Sequence, residues 1–419
     1  MTSPAIDPDT LARVTARLDA FTPEMVELQR ILTAIPALGP VNGGQGEWAK
    51  VERLAAWLRE HGLDEQERID APDPDAEEGL RPNLVARLPG RRTDRTLWIM
   101  THTDVVPPGD PAGWETDPWT LVERDGRLYG RGVEDNQQGL VASVFAARAL
   151  VAEGLAPART LGLLFCADEE TGSRHGLGHV LKTRPDLVGP DDLVVVPDAG
   201  QPDGRMIEIA EKSVLWMRCT VRGRQCHASR PDDGLNAARI GADLLQRLDR
   251  ELHERFNEAD PLFLPPESTI EPTRRLANVP NVNTVPGEDV FYLDCRILPV
   301  YDPADVLAAA AAIGDAVAAE TGATIRCEAD VCQVAPPPTS AEAPVVRALA
   351  AAVRDVVGVE AEPRGIGGGT VAACFRRRNL PAAVWGSIDQ MAHQPNEYCV
   401  LAQLVRDAKV FAHVALQDG

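Results

Sequence analysis

Residues 96–106 read TLWIMTHTDVV, an apolar, β-prone run that ends in His102 and Asp104. Two further runs have the same design: residues 160–170 read TLGLLFCADEE, and residues 192–200 read DLVVVPDAG. Strands that are apolar along their whole length are typical of a sheet covered on both faces, and helical patterns lie between some of these runs. The three runs therefore predict an α/β domain whose strands end in acidic residues or histidine.

These strand ends also predict where a functional site lies. In open α/β sheets, ligands bind just outside the carboxyl ends of the strands. One acidic residue in such a place is ordinarily a loop residue. Three successive strands that end in metal-type ligands favour a single site on which those side chains converge.

The middle of the chain has a different pattern. Residues 213–223 alternate like a half-exposed strand, and residues 234–256 form an amphipathic helical pattern with apolar positions three to four residues apart. We interpret this part as a smaller α+β module inserted into the α/β domain, because the α/β pattern resumes after it. The predicted domains are 1–212 together with 333–419, and 213–332.

Composition excludes several classes of partner. The chain has 42 Lys and Arg against 63 Asp and Glu, a net charge of −21, which argues against binding nucleic acid or an anionic membrane surface. No apolar run is long enough for a transmembrane helix, and residues 1–14 do not have the pattern of a secretory signal. The eight cysteines are scattered without a CxxC motif, which is typical of reduced thiols. We therefore expect a cytoplasmic protein, with residues 70–79 as an acidic solvated loop.

Six residues have the chemistry of a two-metal site. Zinc accepts His nitrogen and carboxylate oxygen, and two neighbouring ions need a bridging carboxylate. A further carboxylate, free of metal, must take a proton from the attacking water. The six candidates are His102, Asp135, Glu169, Glu170, Asp198 and His393.

Short spacings within this set suggest a division of roles. The adjacent Glu169 and Glu170 can act as proton acceptor and ligand if the chain turns there. Strand alternation places His102 and Asp104 on one face, so that Asp104 can accept the second ring N–H of the histidine. Each of these short patterns also arises by chance, and the order of several motifs is what carries the interpretation.

Other candidate ligands are weaker. His175 and His179 are four residues apart and could share a helix face. Cys226 and Cys399 each lie near a candidate histidine, but no second cysteine sits at ligand spacing.

The chain resembles the co-catalytic zinc amidohydrolases and peptidases, the family of acetylornithine deacetylase, succinyl-diaminopimelate desuccinylase, aminoacylase and glutamate carboxypeptidase. Eight motifs in the family's order carry this resemblance. They are HTDVVP (102–107), LYGRGVED (128–135), DEETGS (168–173), PDAG (197–200), GRQCHASRPDDGLNA (223–237), NTVPG (283–287), GIGGGT (365–370) and AHQPNE (392–397).

The resemblance implies a zinc-exopeptidase-like catalytic domain, with helices on both faces of a mixed sheet and a ferredoxin-like lid and dimerisation domain at 213–332. It implies two Zn²⁺ ions, for which Co²⁺ or Mn²⁺ could substitute. The implied metal ligands are His102 and Asp198 for one ion, Glu170 and His393 for the other, and Asp135 as the bridge. Glu169 is the implied general base, and Asp104 the residue that orients His102.

Further positions follow from the same resemblance. His227 is similar to a histidine that reaches the neighbouring subunit's site in a homodimer and stabilises the oxyanion. The implied substrate-binding residues are Asn283, Arg296, Gly368, Gly369 and Thr370.

The implied reaction is hydrolysis of the amide bond of an N-acyl amino acid by a zinc-bound hydroxide. The alternative is a dizinc dipeptidase or carboxypeptidase that cleaves a short peptide. The chain departs from the family's usual pattern at three places that bear on the substrate. NQQG follows Asp135, and Val371 follows GGGT. Asp198 stands where deacylases and carboxypeptidases usually have Glu and di- and tripeptidases have Asp. A catalytically inactive scaffold would lack a ligand or the base, whereas all six positions are filled.

Overall fold

The computed structural model describes residues 6–418, which divide into two compact units. The first contains the described residues up to Ile209, together with Thr339–Pro363 and the residues from Thr370 onward. The second contains Ala210–Pro338 and Arg364–Gly369. The short segment 364–369 therefore belongs to the second unit, whereas the sequence pattern assigned it to the catalytic domain.

Backbone hydrogen bonds explain this assignment. The Lys212 N–H donates to the Ile366 carbonyl at 3.0 Å, and the Gly365 N–H donates to the Leu262 carbonyl at 2.8 Å. These bonds join residues about 100 or more positions apart, so no local pattern predicts them. The functional labels of the two units, catalytic domain and lid, stay predictions.

Helices and strands alternate through much of the described chain. The α-helices are α1 (Pro8–Ala20), α2 (Thr22–Thr33), α3 (Trp48–Glu60), α4 (Gln137–Ala152), α5 (Leu177–Thr183), α6 (Ala237–Arg255), α7 (Pro303–Thr321), α8 (Pro344–Ala352), α9 (Ala372–Arg376) and α10 (Leu401–Leu416). The strands are β1 (Glu65–Arg68), β2 (Ala71–Pro72), β3 (Leu80–Arg81), β4 (Leu84–Leu88), β5 (Arg92–His102), β6 (Val122–Arg124), β7 (Arg127–Tyr129), β8 (Arg159–Cys166), β9 (Leu193–Val196), β10 (Met206–Glu211), β11 (Ser213–Arg222), β12 (Cys226–His227), β13 (Thr269–Arg275), β14 (Thr284–Val285), β15 (Glu288–Ile297), β16 (Thr324–Gln333), β17 (Glu362–Ile366), β18 (Ala382–Val384) and β19 (Tyr398–Val400).

A mixed sheet forms the centre of the first unit. Its strand order is β1-β4-β8-β5-β9-β18-β10-β17. The apolar runs at 96–106, 160–170 and 192–200 form β5, β8 and β9. Strand β5 lies between the other two and pairs in parallel with both. Their carboxyl ends therefore lie at one edge of the sheet, which confirms the predicted α/β class.

Helices cover both faces of this sheet, which is why its central strands are apolar throughout. Trp98 and Met100 of β5 pack in one cluster with Leu177 of α5 and Phe375 of α9. On the opposite face α4 packs against β5, β8 and α10. Helix α4 is buried on nearly all sides, so it is apolar around most of its circumference.

The second unit is an antiparallel sheet of order β13-β15-β11-β16 with two helices, α6 and α7. The inward residues of β11, Leu215 and Met217, join the buried face of α6 in one core. Trp216, between them, is 44% exposed. This confirms the predicted half-exposed strand and amphipathic helix. Asp302 caps α7, since its carboxylate accepts the Ala304 N–H at 2.9 Å.

The prediction of a solvated loop at residues 70–79 is wrong in part. The segment contains β2, which pairs with β3. Asp73 is buried, and its carboxylate lies 3.5 Å from the guanidinium of Arg81. An acidic run in the sequence does not reveal that one of its members faces a buried cation.

Within residues 6–418, no helix is both long and apolar enough to cross a membrane.

Packing between β5 and β8 provides a test of the sheet. A Cβ added at Gly162 would lie 2.5 Å from the ring of Trp98, which pairs with it across the strands. We expect Gly162→Ala to reduce the free energy of unfolding by about 1–3 kcal/mol through overpacking, as measured by urea denaturation. Gly189→Ala is the control, because its nearest neighbour would be 3.7 Å away. Equal stability of the two variants would contradict the packing described.

Candidate active site

The first group of candidate ligands forms at the end of β5. His102 is the last residue of that strand, and its Nε2 lies 3.0 Å from Asp135 Oδ1 and 3.3 Å from Asp198 Oδ1. Asp198 follows β9, the parallel neighbour of β5. The ligand atoms of all three residues lie within 4.8 Å of one another, close enough to hold one metal ion.

A second group shares Asp135 with the first. His393 Nε2 lies 3.3 Å from Asp135 Oδ2 and 3.1 Å from Glu170 Oε2. The ligand atoms of these three residues also lie within 4.8 Å of one another. The two oxygens of Asp135 thus face different histidines, which is the arrangement required of a bridging carboxylate. The structure brings all five predicted ligands together; their binding of metal stays a prediction.

Glu169 differs from its neighbour Glu170. Within the described residues the Glu169 carboxylate makes no hydrogen bond, whereas Glu170 accepts from His393. Burial raises the pKa of Glu169 well above the ordinary range, and the negative charges of Asp198, Asp104 and Asp135 raise it further. A carboxyl group that is unbonded and reluctant to ionise has the properties of a proton carrier.

Asp104 contacts both His102 and the turn that carries Glu169 and Glu170. The ring Nδ1 of His102 lies 3.1 Å from the backbone carbonyl of Asp104 and 3.5 Å from its carboxylate. The carboxylate accepts the N–H of Glu169 and the N–H of Glu170, both at 3.1 Å. Because β5 ends at His102, strand alternation no longer governs where Asp104 points. The Asp104 carboxylate therefore holds the glutamate turn, whereas the ring of His102 bonds to the backbone carbonyl of Asp104, and orientation of His102 by the carboxylate stays a prediction.

Two buried glutamates that the sequence analysis did not single out hold the loops that carry Asp135 and His393. Glu397 accepts the N–H groups of Gly132, Glu134 and Asp135 at 2.9–3.1 Å. Glu134 in turn accepts the N–H of Asp389 at 2.7 Å and that of Met391. Both residues lie inside quoted motifs, but nothing in the local sequence distinguishes an acid that accepts backbone N–H groups from one that binds metal.

Asn136 is a third residue that the sequence analysis left out. Its side-chain amide donates to Asp198 Oδ1 at 2.7 Å and to the carbonyl of Pro197 at 2.6 Å. It therefore fixes the orientation of the Asp198 carboxylate. Only its place in the NQQG departure pointed to it.

Charges in the cluster are compatible with metal ions. Burial disfavours the charged form of His102, yet bonds to Asp104, Asp135 and Asp198 raise its pKa well above the ordinary value. Bonds from His102 and His393 hold the pKa of Asp135 well below its ordinary value, against the effect of burial.

An unpartnered oxygen points to the same conclusion. Glu170 Oε1 is buried and has no hydrogen-bond partner within the described residues. A divalent ion would satisfy this oxygen and replace the two protonated imidazoles as the source of positive charge. The nitrogen and oxygen donors present fit zinc, cobalt or manganese.

The remaining predicted site residues, apart from Thr370, lie in the second unit. His227 is exposed and bonds to Ser229 Oγ at 2.7 Å. It pairs with Thr284 across β12 and β14, which places Asn283 beside it: the Ala228 N–H donates to the Asn283 carbonyl at 2.9 Å.

Arg296 is engaged within its own unit. Its guanidinium donates to the two carboxylate oxygens of Asp294 at 2.6 and 3.1 Å, and to the carbonyl of Gly367 at 3.1 Å. It therefore anchors the glycine loop that contains Gly368 and Gly369. Thr370 follows this loop and belongs to the first unit.

The weaker candidates do not join a ligand cluster. In residues 6–418, the groups able to hold a metal ion are the two described above. His175 lies 3.3 Å from Asp168, and Cys399 is buried against the Gln29 amide at 3.8 Å.

Comparison with known proteins gives a consistent result. Residues 98–417 match the family described as Peptidase family M20/M25/M40. A protein of Methanococcus maripaludis described as an uncharacterized metallohydrolase is 35% identical over 409 residues, which cover 93% of this chain and 98% of the relative. A succinyl-diaminopimelate desuccinylase of Paracoccus denitrificans is 28% identical over 336 residues, which cover 80% and 85%.

A solved structure has the same fold. Human carnosine dipeptidase 1 superposes with a TM-score of 0.73 at 18% identity, and the match covers 99% of each chain. At this identity the likeness concerns the fold alone.

The buried acids predict how the metal-free protein responds to pH. Burial raises the pKa of both Glu134 and Glu397 to about 7, from an ordinary value of 4.5. The folded chain therefore binds these protons more tightly than the unfolded chain, and the free energy of unfolding decreases as pH rises from about 5 to about 8. Bonds to Asp135 and Glu170 raise the pKa of His393 to about 10, which adds stability that is complete below pH 6.5 and is lost as pH rises toward 10.

We expect the melting temperature of chelator-treated protein to fall by roughly 5 °C between about pH 5.5 and 8.5. Differential scanning calorimetry measures it. Added Zn²⁺ should reverse the fall, because its candidate ligands His102 and His393 must lose a proton to bind metal and do so more easily at high pH. A metal-free melting temperature that is flat or rises over this interval would show that the acids are not held protonated.

Proposed function

The chain belongs to peptidase family M20/M25/M40 and is a metallohydrolase that acts on amide bonds; from this premise we propose that it deacylates an N-acyl amino acid, with two zinc ions and Glu169 as general base. The observation that carries the proposal is the sharing of Asp135 between two ligand groups, together with a Glu169 carboxylate that accepts no hydrogen bond within the described residues. His102 and Asp198 hold one ion, and Glu170 and His393 the other. When bound, the ions act as Lewis acids toward the scissile carbonyl and make the attacking water more acidic.

Glu169 moves the proton in this proposal. Its carboxylate takes a proton from water and returns it to the nitrogen of the leaving amine. In the metal-free chain, burial and the neighbouring acids raise the pKa of Glu169. Bound cations would lower this pKa, so that the ionised carboxylate is available to accept the proton. Asp104 keeps the carboxylate in place through the backbone of the glutamate turn.

The proposal assigns substrate contacts to five further residues. Asn283 and Arg296 contact the substrate carboxylate, together with the backbone N–H groups of Gly368, Gly369 and Thr370. His227 acts in the site of a neighbouring subunit, where it stabilises the developing oxyanion. The homodimer forms through the module predicted at 213–332.

A dipeptidase or carboxypeptidase is the second candidate. Asp198 is shorter than the glutamate typical of deacylases, and the Asn136 amide holds one of its oxygens. In the family that the chain resembles, di- and tripeptidases usually carry Asp at this position, whereas deacylases and carboxypeptidases carry Glu, so Asp198 supports a dipeptidase whose substrate has a free α-amine. The desuccinylase relative supports the deacylase, and the fold of the carnosine dipeptidase is compatible with both.

Substitution of Glu169 separates proton transfer from metal binding. We expect Glu169→Gln to keep two zinc ions per chain and to lower kcat by about 100- to 10,000-fold, the range typical of lost general acid–base catalysis. Metal content is measured by mass spectrometry of the purified variant. The matched variant Glu170→Gln should instead lose metal. Loss of zinc from Glu169→Gln would make this residue a ligand and overturn its role as base.

A substrate screen decides between the two candidates. Purified protein with added Zn²⁺ or Co²⁺ is incubated with N-acetyl-ornithine, N-succinyl-diaminopimelate, other N-acyl amino acids and unmodified dipeptides, and the released amine is quantified. We expect hydrolysis of at least one N-acyl amino acid with a kcat/KM at least about 100-fold above that for dipeptides, because a site built for one polar group rejects its analogue strongly. Activity on dipeptides alone would exclude the deacylase.

A further inference from the structure

A buried ion pair lies beneath the turn that carries Glu169 and Glu170. Arg81 donates from Nε to Glu47 Oε2 at 2.7 Å and from Nη2 to Glu47 Oε1. The side chains are 3% and 0% exposed. Such a bidentate pair has a fixed geometry, which suits it to holding other groups in place.

The pair bonds directly to the turn. Glu47 Oε1 accepts the backbone N–H of Asp168 at 3.3 Å. The next two N–H groups, of Glu169 and Glu170, donate to Asp104. Three consecutive N–H groups are therefore held by two buried carboxylates, and these bonds decide where the two glutamate side chains begin.

Asp168 connects the pair to the turn a second time. Its carboxylate lies 3.6 Å from Arg81 Nη1 and accepts the His175 N–H at 2.8 Å and the Thr171 hydroxyl. Its backbone has φ +60°, in the left-handed region that residues other than glycine rarely adopt. This conformation turns the chain sharply after β8, and the bonds around Asp168 keep it there.

The chain around Arg81 leaves room for its guanidinium. A Cβ at Gly39 would lie 3.2 Å from Arg81 Nη2, and one at Gly46 would lie 3.4 Å from Arg81 Cδ at a φ of +93°. A side chain at position 39 would therefore be tight against the guanidinium, and at position 46 the positive φ favours glycine.

From these contacts we propose that Glu47 and Arg81 are positioning residues for the reaction, since they set the turn that aims Glu169 at the reacting water and Glu170 at its metal ion. The inference rests on the proposed function. Both residues precede the first motif at 102–107, so no motif contains them. Displacements of a fraction of an ångström at a catalytic group lower the rate strongly, which is why a rigid support matters here.

The test compares this pair with another buried pair of the same unit. Glu47→Gln and Arg81→Lys are matched with Glu208→Gln and Arg376→Lys, where Arg376 Nη1 donates to Glu208 Oε1 at 2.8 Å and the side chains are 1% and 0% exposed. For each variant we measure the melting temperature, the Kd of Co²⁺ by absorption titration of metal-free protein, and kcat and KM on the best wild-type substrate.

We expect Glu47→Gln and Arg81→Lys to raise the Co²⁺ Kd by about 10-fold and lower kcat by about 30-fold, with KM changed by less than about 3-fold. The control variants should lose a similar melting temperature, while Kd and kcat stay within about 3-fold of wild type. If the Glu47 and Arg81 variants leave both Kd and kcat within the range of the controls, the pair is merely structural and the inference is wrong.

Two provisions keep the test decisive. Should Glu47→Gln fail to fold, Thr171→Val is used instead, because Thr171 is exposed and its hydroxyl donates to the Asp168 carboxylate. In this variant kcat should still fall more than in the controls. Wild-type protein that binds Co²⁺ but cleaves none of the compounds would refute the proposed function, and the comparison of Co²⁺ Kd values would then test the positioning role alone.

Discussion

The crowding of carboxylates at one edge of a sheet is the constraint on which the rest of this structure depends. Asp135, Glu169, Glu170 and Asp198 converge there with two histidines. Burial raises the pKa of Glu169 and of Glu170, and the negative charges of neighbouring acids raise both further. Positive charge must be supplied by protonated imidazoles or by metal ions. The parallel arrangement of β5, β8 and β9 brings the strand ends together, and helices on both faces exclude water from the strands behind them.

Carboxylates serve two purposes around this edge. Some present their oxygens to the site, whereas Glu47, Asp104, Glu134 and Glu397 accept backbone N–H groups of the loops that carry the ligands. A carboxyl group that accepts several N–H groups at once fixes a loop firmly, because each bond restricts where the backbone can lie. The net charge of −21 thus contains a functional part, a supporting part and a solvent-exposed remainder. In the proposed function, metal ions, Arg296 and backbone N–H groups supply the local positive charge that an anionic substrate requires.

The support is reciprocal between segments far apart in the chain. Glu397 holds the loop of Asp135, and Glu134, next to Asp135, holds the loop of His393. Loss of either acid would therefore disturb both ligand groups. Lys50 is buried and interacts electrostatically with three of the supporting acids, Asp104, Glu47 and Glu397. Burial lowers the pKa of Lys50 to about 8, against the attraction of these acids.

The sequence by itself determined the fold class, the inserted module and the set of candidate ligands, because apolar periodicity, strand-end acids and motif order are local properties. Only the tertiary structure decided that Asp135 faces both histidines and that residues 364–369 join the second unit. The tertiary structure also decided that, among residues 6–418, the Glu169 carboxylate accepts no hydrogen bond while the Glu170 carboxylate accepts one from His393. It also decided which acids support the site. Glu47, Glu134 and Glu397 acquire that role from N–H groups up to about 260 residues away. The group that an acid contacts depends on how distant strands and loops pack, and no local sequence pattern predicts that packing.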